Sequence, residues 1–128
     1  METLNVGALI AAQRAFVAER KWDKFHTPKN LSMALTGEAA ELLEIFQWLS
    51  EAESLEVMKN PVRAKAVTDE LADIFFYVLR IADTLNIDLE QAFTAKMIQN
   101  RAKYPVTPQK RLTKKQRELL ITKGLHSR

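Results

Sequence analysis

The chain has 128 residues, 47% of them hydrophobic and 27% charged, which suits one domain able to bury a core. It contains no cysteine, which removes disulfides, thiolate zinc sites and cysteine nucleophiles together and fits a reducing compartment, the cytoplasm by default. The net charge of +3 conceals an asymmetry: residues 1–106 carry 12 Lys and Arg against 15 Asp and Glu, a net of −3, and residues 107–128 carry 7 against 1, a net of +6. The basic balance therefore belongs to a tail, and a nucleic-acid footprint over the whole domain is disfavoured. Glu2, Asn5, Gln13 and Arg14 interrupt the first apolar stretch, so neither a signal peptide nor a membrane span is expected.

With only three glycines and four prolines, and long stretches free of both, the sequence predicts an all-α fold. A first helix is expected over roughly Leu4 to Lys24, with Leu9, Ile10, Phe16 and Val17 as its stripe. A second runs from about Asn30, read as its N-cap, to about Ser50. Glu51, Glu53 and Glu56 then read as a solvated loop. Asn60-Pro61 announces a third helix reaching about Leu85, and Asp88 with Gln91 opens a fourth that stops before Tyr104-Pro105. Four helices joined by short connections make a four-helix bundle or an interlocked helical dimer over residues 1–106. Within the tail, 107–128, Thr113 and Gln116 form a second capping-box pattern, Leu119 and Leu120 sit in a short helix, and Gly124 is its expected C-cap.

At about 100° per residue from Leu31, the stripe of Ala34, Leu35, Leu42, Ile45, Phe46 and Leu49 includes Glu38 at about −20° and has Glu41 at its edge, whereas Glu44 points away. On the third helix, counted from Val62, Glu70 lies at about 80°, among Ala66, Leu71, Ile74, Tyr77, Val78 and Ile81, with Asp73 on the border at about 20°. Two helices thus each turn an i, i+3 carboxylate pair inward, where an uncompensated charge is costly. Lys96, Arg101 and Lys103 are the inward cation candidates and are too few to neutralise four acids and also serve a ligand. An all-oxygen donor set selects Mg²⁺, Mn²⁺ or Ca²⁺ over zinc or copper, and Mg²⁺ where phosphates complete the shell. A di-iron carboxylate bundle needs Glu-x-x-His on two helices, and neither His26 nor His126 stands three residues after a glutamate.

Glu38-Ala-Ala-Glu41 and Glu70-Leu-Ala-Asp73 resemble the ExxE and ExxD signature of the all-α nucleoside triphosphate pyrophosphohydrolases, the MazG-like group. Phe25-His-Thr-Pro-Lys-Asn30-Leu31, Phe46-Gln47-Trp48 and Lys96-Met-Ile-Gln-Asn100-Arg-Ala-Lys103-Tyr104-Pro105 make the resemblance closest to the dCTP pyrophosphatase branch, over about residues 8–106. It implies hydrolysis of a nucleoside triphosphate, with dCTP or a modified dCTP favoured, to the monophosphate and pyrophosphate in nucleotide-pool house-cleaning. It also implies Mg²⁺ on Glu38, Glu41, Glu70 and Asp73, and these same acids as the catalytic set, with Glu41 the candidate to orient or deprotonate water.

By the same resemblance Lys96, Asn100, Lys103 and Tyr104 bind the phosphates, and Trp22, Trp48 and Tyr77 form an aromatic base pocket. Gln13 departs from the pattern, standing where the similar sequences align a histidine of the nucleotide pocket. The resemblance implies a homo-oligomer, a tetramer built as a dimer of dimers, and Phe75 and Phe76, flanking the main stripe, supply apolar surface for it. The competing expectation is a non-catalytic helical module using the basic tail to bind nucleic acid. The tail lacks a second helix after Gly124 to complete a helix-turn-helix, which disfavours that reading.

Overall fold

The structure is a computed structural model that describes residues 3–106 and 113–126. It is all-α among these residues, as expected. Six helices follow one another among the described residues: α1 (Val6–Glu19), α2 (Pro28–Phe46), α3 (Glu51–Leu55), α4 (Pro61–Thr84), α5 (Leu89–Lys103) and α6 (Lys114–His126). Single 3-10 turns at Asp23–Phe25 and Val57–Lys59 precede α2 and α4. None of the described helices is long and apolar enough to cross a membrane.

Local chemistry sets the helix ends. Asn5 caps α1 by accepting from the Ala8 N–H at 3.0 Å. That helix stops at Glu19 rather than reaching Lys24, because Lys21 turns left-handed (φ 56°). The Lys21 and Trp22 N–H groups then fold back onto the Ala18 and Val17 carbonyls at 3.0 and 3.1 Å, a Schellman closure. Asn86 (φ 55°) ends α4 likewise, with Ile87 N–H on the Ala82 carbonyl at 2.8 Å. The N-cap of α2 is Thr27 instead of Asn30: proline at the first helical position fixes the cap three residues earlier, and the Thr27 hydroxyl accepts from the Asn30 N–H. The acidic run is not simply a solvated loop. Ser50 and Glu53 exchange hydrogen bonds as a complete capping box and start α3.

Asn60 caps α4 through the Val62 and Arg63 N–H groups, as its sequence announced. The bounds of α5 agree with those expected for the fourth helix. In α6 Thr113 and Gln116 bond reciprocally, but the helix passes through Gly124 to His126, so Gly124 is not its cap. Residues 107–112, where the tail was expected to begin, lie outside the described residues.

The chain divides into two compact units, Met1–Leu89 and Glu90–Arg128. In the first, α4 is the central helix and packs on α2 along one side and on α1 along another. Val17, Leu31, Val57, Val67, Leu79 and Ala82 are its buried apolar residues. A single apolar stripe on α4 was too simple: Leu79, outside that stripe, is buried and lines the α1 side with Leu9, Phe75 and Phe76, whereas Leu71, assigned to the stripe, is exposed. In the second unit Lys96, Arg101 and Lys103 are all exposed, which corrects their reading as inward residues. Their helix α5 buries none of its residues, its apolar Phe93, Met97 and Ile98 included.

Candidate active site

The α2–α4 pairing brings the Glu38–Glu41 pair together with Glu70. Glu38 and Glu41 stand one turn apart on α2, and Glu70 approaches them from α4. One carboxylate oxygen from each of the three lies within 4.8 Å of the other two. Glu38 and Glu70 are half-buried and Glu41 is exposed. The Oε2 atoms of both Glu38 and Glu70 are sealed from solvent, and neither receives a hydrogen bond. Asp73 is outside this group of three. It is exposed, one turn beyond Glu70 on the same helix.

As carboxylates, none of the three glutamates can donate a hydrogen bond to another. The close approach of the Glu38 carboxylate, then desolvation, then the neighbouring Glu41 push Glu70 up to about 7. The cluster is therefore a place where negative charge is concentrated beyond what the protein compensates. Hard divalent cations are attracted by that combination of oxygen donors, charge and partial desolvation. The sealed, donorless oxygens of Glu38 and Glu70 fit such an ion: they are the atoms a cation would satisfy.

Tyr77, one turn after Asp73, is half-buried, and its hydroxyl is raised above the usual tyrosine range by burial, then by the charges of Glu38 and Asp73. It therefore stays a neutral hydrogen-bond donor that feels the charges of both Glu38 and Asp73. Of the other aromatic candidates, Trp22 is 40% exposed at the end of α1, edge-on to Phe16 with ring centroids 5.6 Å apart. Trp48, in the turn after α2, is 86% exposed, in keeping with its place off the apolar stripe.

On α5, Lys96 and Lys103 are exposed and Asn100 is half-buried. The half-buried Tyr104 carries the Lys103 ammonium 5.5 Å from its ring centroid. Gln13 is buried on α1, its Nε2 donating to the Phe76 carbonyl at 2.7 Å while its Oε1 has no partner.

Sequence reasoning missed a polar network behind Trp22. Arg80, 5% exposed, reaches His26 and Asp23 in the turn before α2 and Asp83 one turn along α4. Arg14 of α1 closes the network by a two-pronged bond to Asp83. Its signal was an arginine inside the apolar run Ile74–Ile81, followed three residues later by an acid.

Comparison with known proteins agrees with this architecture. A model of the MazG-like family matches residues 34–119, more than half of the chain. The chain is 44% identical over 91 residues to dCTP pyrophosphatase 1 of Rattus norvegicus, covering 71% of this chain and 54% of that protein. Against dCTP pyrophosphatase 1 of Homo sapiens it is 38% identical over 104 residues, covering 81% and 61%. The chain thus spans little more than half the length of these curated relatives. The crystal structure of a pyrophosphatase from Archaeoglobus fulgidus superposes with a TM-score of 0.75 at 39% identity, covering 83% of this chain and 97% of that one.

Proposed function

Since the chain belongs to the MazG-like family, we propose that it is a Mg²⁺-dependent nucleoside triphosphate pyrophosphohydrolase, acting on dCTP or a modified dCTP. The observation that carries this reading is the gathering of Glu38, Glu41 and Glu70 with one carboxylate oxygen of each within 4.8 Å of the others, Glu38 and Glu70 each also holding a sealed oxygen with no donor to satisfy it. The names of the relatives support the choice of dCTP.

In this reading Glu38, Glu41, Glu70 and Asp73 hold the cation. When bound, it would neutralise phosphate oxygens and lower the pKa of an attacking water. Glu41, the exposed glutamate of the three, is the acid placed to orient the attacking water or to take its proton and return it to solvent. Water adds across the bond between the α- and β-phosphates, leaving the monophosphate and pyrophosphate. Tyr77 donates a hydrogen bond at the edge of the acids. Lys96, Asn100, Lys103 and Tyr104 bind the phosphate chain, and Trp22, Trp48 and Tyr77 offer flat faces to the base.

We further propose a cytoplasmic homotetramer, a dimer of dimers, serving nucleotide-pool house-cleaning. Leu9, Leu43, Leu55, Val62 and Leu71 are exposed apolar side chains that a second subunit would cover. The test is a panel of common and 5-substituted dNTPs and NTPs incubated with Mg²⁺, with products identified. Monophosphate and pyrophosphate from dCTP are expected; diphosphate and orthophosphate, or no turnover of any nucleotide, would overturn the reading.

A further inference from the structure

Between the end of α1 and the cap of α2 the chain makes a short turn, Trp22 to Thr27, with Trp22 at its head. Its backbone is closed locally, by Trp22 N–H on the Val17 carbonyl, Phe25 N–H on the Trp22 carbonyl and Asn30 Nδ2 on the Phe25 carbonyl. Local bonds do not fix how the turn meets α4, the helix that bears Glu70 and Asp73. Arg80 makes that connection. Its Nε donates to His26 Nδ1 at 2.9 Å and its Nη2 to Asp23 Oδ1 at 2.9 Å, while Nη1 lies 3.4 Å from Asp83 Oδ2.

Asp23 follows Trp22 in sequence, and the His26 ring stands 6.2 Å from the Trp22 ring. On the opposite flank Trp22 meets Phe16, and the Arg20 guanidinium lies over Phe16 at 3.7 Å and beyond it toward Trp22 at 5.9 Å. A buried guanidinium is a costly way to fill space, since an aliphatic side chain would pack there without desolvating a charge. What it adds is direction: a planar fork holds two partners at fixed angles.

We propose that Arg80 is a positioning residue for base binding: its guanidinium fork, through Asp23 and His26, holds the Trp22 ring in the orientation offered to the nucleotide. This rests on the reading above that Trp22 contacts the base. Arg80 follows Glu70 by ten residues on one helix, about 15 Å of rise, so the same rigid rod sets the metal-binding acid and the anchor of the aromatic turn. His26 must be neutral to accept from Arg80. Burial and then the Arg80 charge favour that form, and Asp23 opposes it. The charged groups around His26 are Asp23 from its own turn and Arg80 from α4, with Asp83 of α4 and Arg14 of α1 behind Arg80.

The test compares His26→Leu, His26→Asn and Arg80→Lys in the full chain. His26→Leu removes the acceptor, His26→Asn keeps one in Oδ1, and Arg80→Lys keeps the charge but loses the fork. With dCTP and Mg²⁺, KM should rise about tenfold in His26→Leu and Arg80→Lys with kcat within about twofold, the size of one lost charged hydrogen bond felt in binding alone. His26→Asn should stay near the parent KM and lose the parent's rise in KM below the ordinary histidine pKa. In a Trp48→Phe background, where Trp22 is the remaining tryptophan, acrylamide should quench fluorescence more strongly in His26→Leu and Arg80→Lys than in the parent or His26→Asn.

Unchanged quenching and unchanged KM in His26→Leu would overturn the proposal, as would a kcat loss that His26→Asn does not rescue. If Arg80→Lys does not fold, the two His26 variants decide. If Trp22→Ala leaves KM unchanged, the base-pocket reading fails, and the quenching comparison alone decides whether Arg80 orients the ring.

Discussion

Glu38 on α2 and Glu70 on α4 each seal one carboxylate oxygen from solvent without a hydrogen-bond donor, and a carboxylate oxygen of one lies within 4.8 Å of a carboxylate oxygen of the other. Two adjacent helices meeting through paired acids would repel in the absence of a cation. The arrangement trades stability of the empty fold for affinity toward a positive ligand.

Replacing Glu38 or Glu70 by Gln removes charge while keeping shape. Turnover should fall by at least about a hundredfold, as expected when cation stabilisation of the transition state is lost. The parent chain should gain thermal stability on adding Mg²⁺, and each variant should lose most of that gain while melting no lower than the parent in chelator. Calorimetry with and without Mg²⁺ checks both points, and a variant that keeps parental turnover at saturating Mg²⁺ would remove its residue from the site.

Trp48 is 86% exposed, so truncating it costs the fold little. Trp48→Ala should weaken nucleotide binding by about 1–3 kcal/mol, the range for stacking of a base on an aromatic ring, and narrow the preference for cytosine. Residual turnover should persist at high substrate because the acids are untouched. Isothermal titration alongside a melting curve separates this outcome from unfolding or dissociation, either of which would make Trp48 an interface anchor.

Light scattering at micromolar protein should give the mass of a tetramer. A fully active monomer would contradict both the tetramer and the use proposed for the exposed Leu9, Leu43 and Leu71.

On acidification His26 and then Asp83 should each withdraw folding stability in its own stage, while Glu70, pushed up to about 7 by its neighbours, returns some as pH falls from about 7 toward 4.5. Burial and Arg80 hold His26 below its ordinary 6.5, so the unfolded chain takes up that proton first and stability declines as pH drops through and below 6.5. The Arg14 hydrogen bond holds Asp83 below its ordinary 3.8, so its contribution is present above that value and is lost as pH falls through the still lower folded pKa. Denaturant midpoints measured from pH 8 to pH 3 check the shape, and His26→Asn should abolish the first stage alone.

The acids were legible because a single helix wheel suffices to find a carboxylate inside an apolar stripe, and Glu38 and Glu70 are the two that the fold half-buries. Asp73, on the border of its stripe, is the one the fold leaves outside the close group. The caps at Asn5 and Asn60 followed local rules, whereas the start of α2 needed Thr27 and Pro28 to be weighed together against Asn30. The wheel failed for α4 at Leu79 and Arg80, since it assumes one buried face and this helix has two partners. Arg80 met His26 and Asp23 across more than fifty residues of chain, a pairing no local spacing encodes.

That α4 lies between α1 and α2 and bears Glu70, Asp73, Tyr77, Arg80 and Asp83 along one continuous stretch has a consequence for amide exchange. Its central amides should open only when the first unit opens as a whole, so their deuterium uptake reports the global free energy, while the Trp22–Thr27 turn exchanges through smaller local events. Protection gained on adding Mg²⁺ should then spread the full length of α4 rather than stop at the acids, since an ion held at Glu70 slows the single cooperative opening on which the rest of the helix depends.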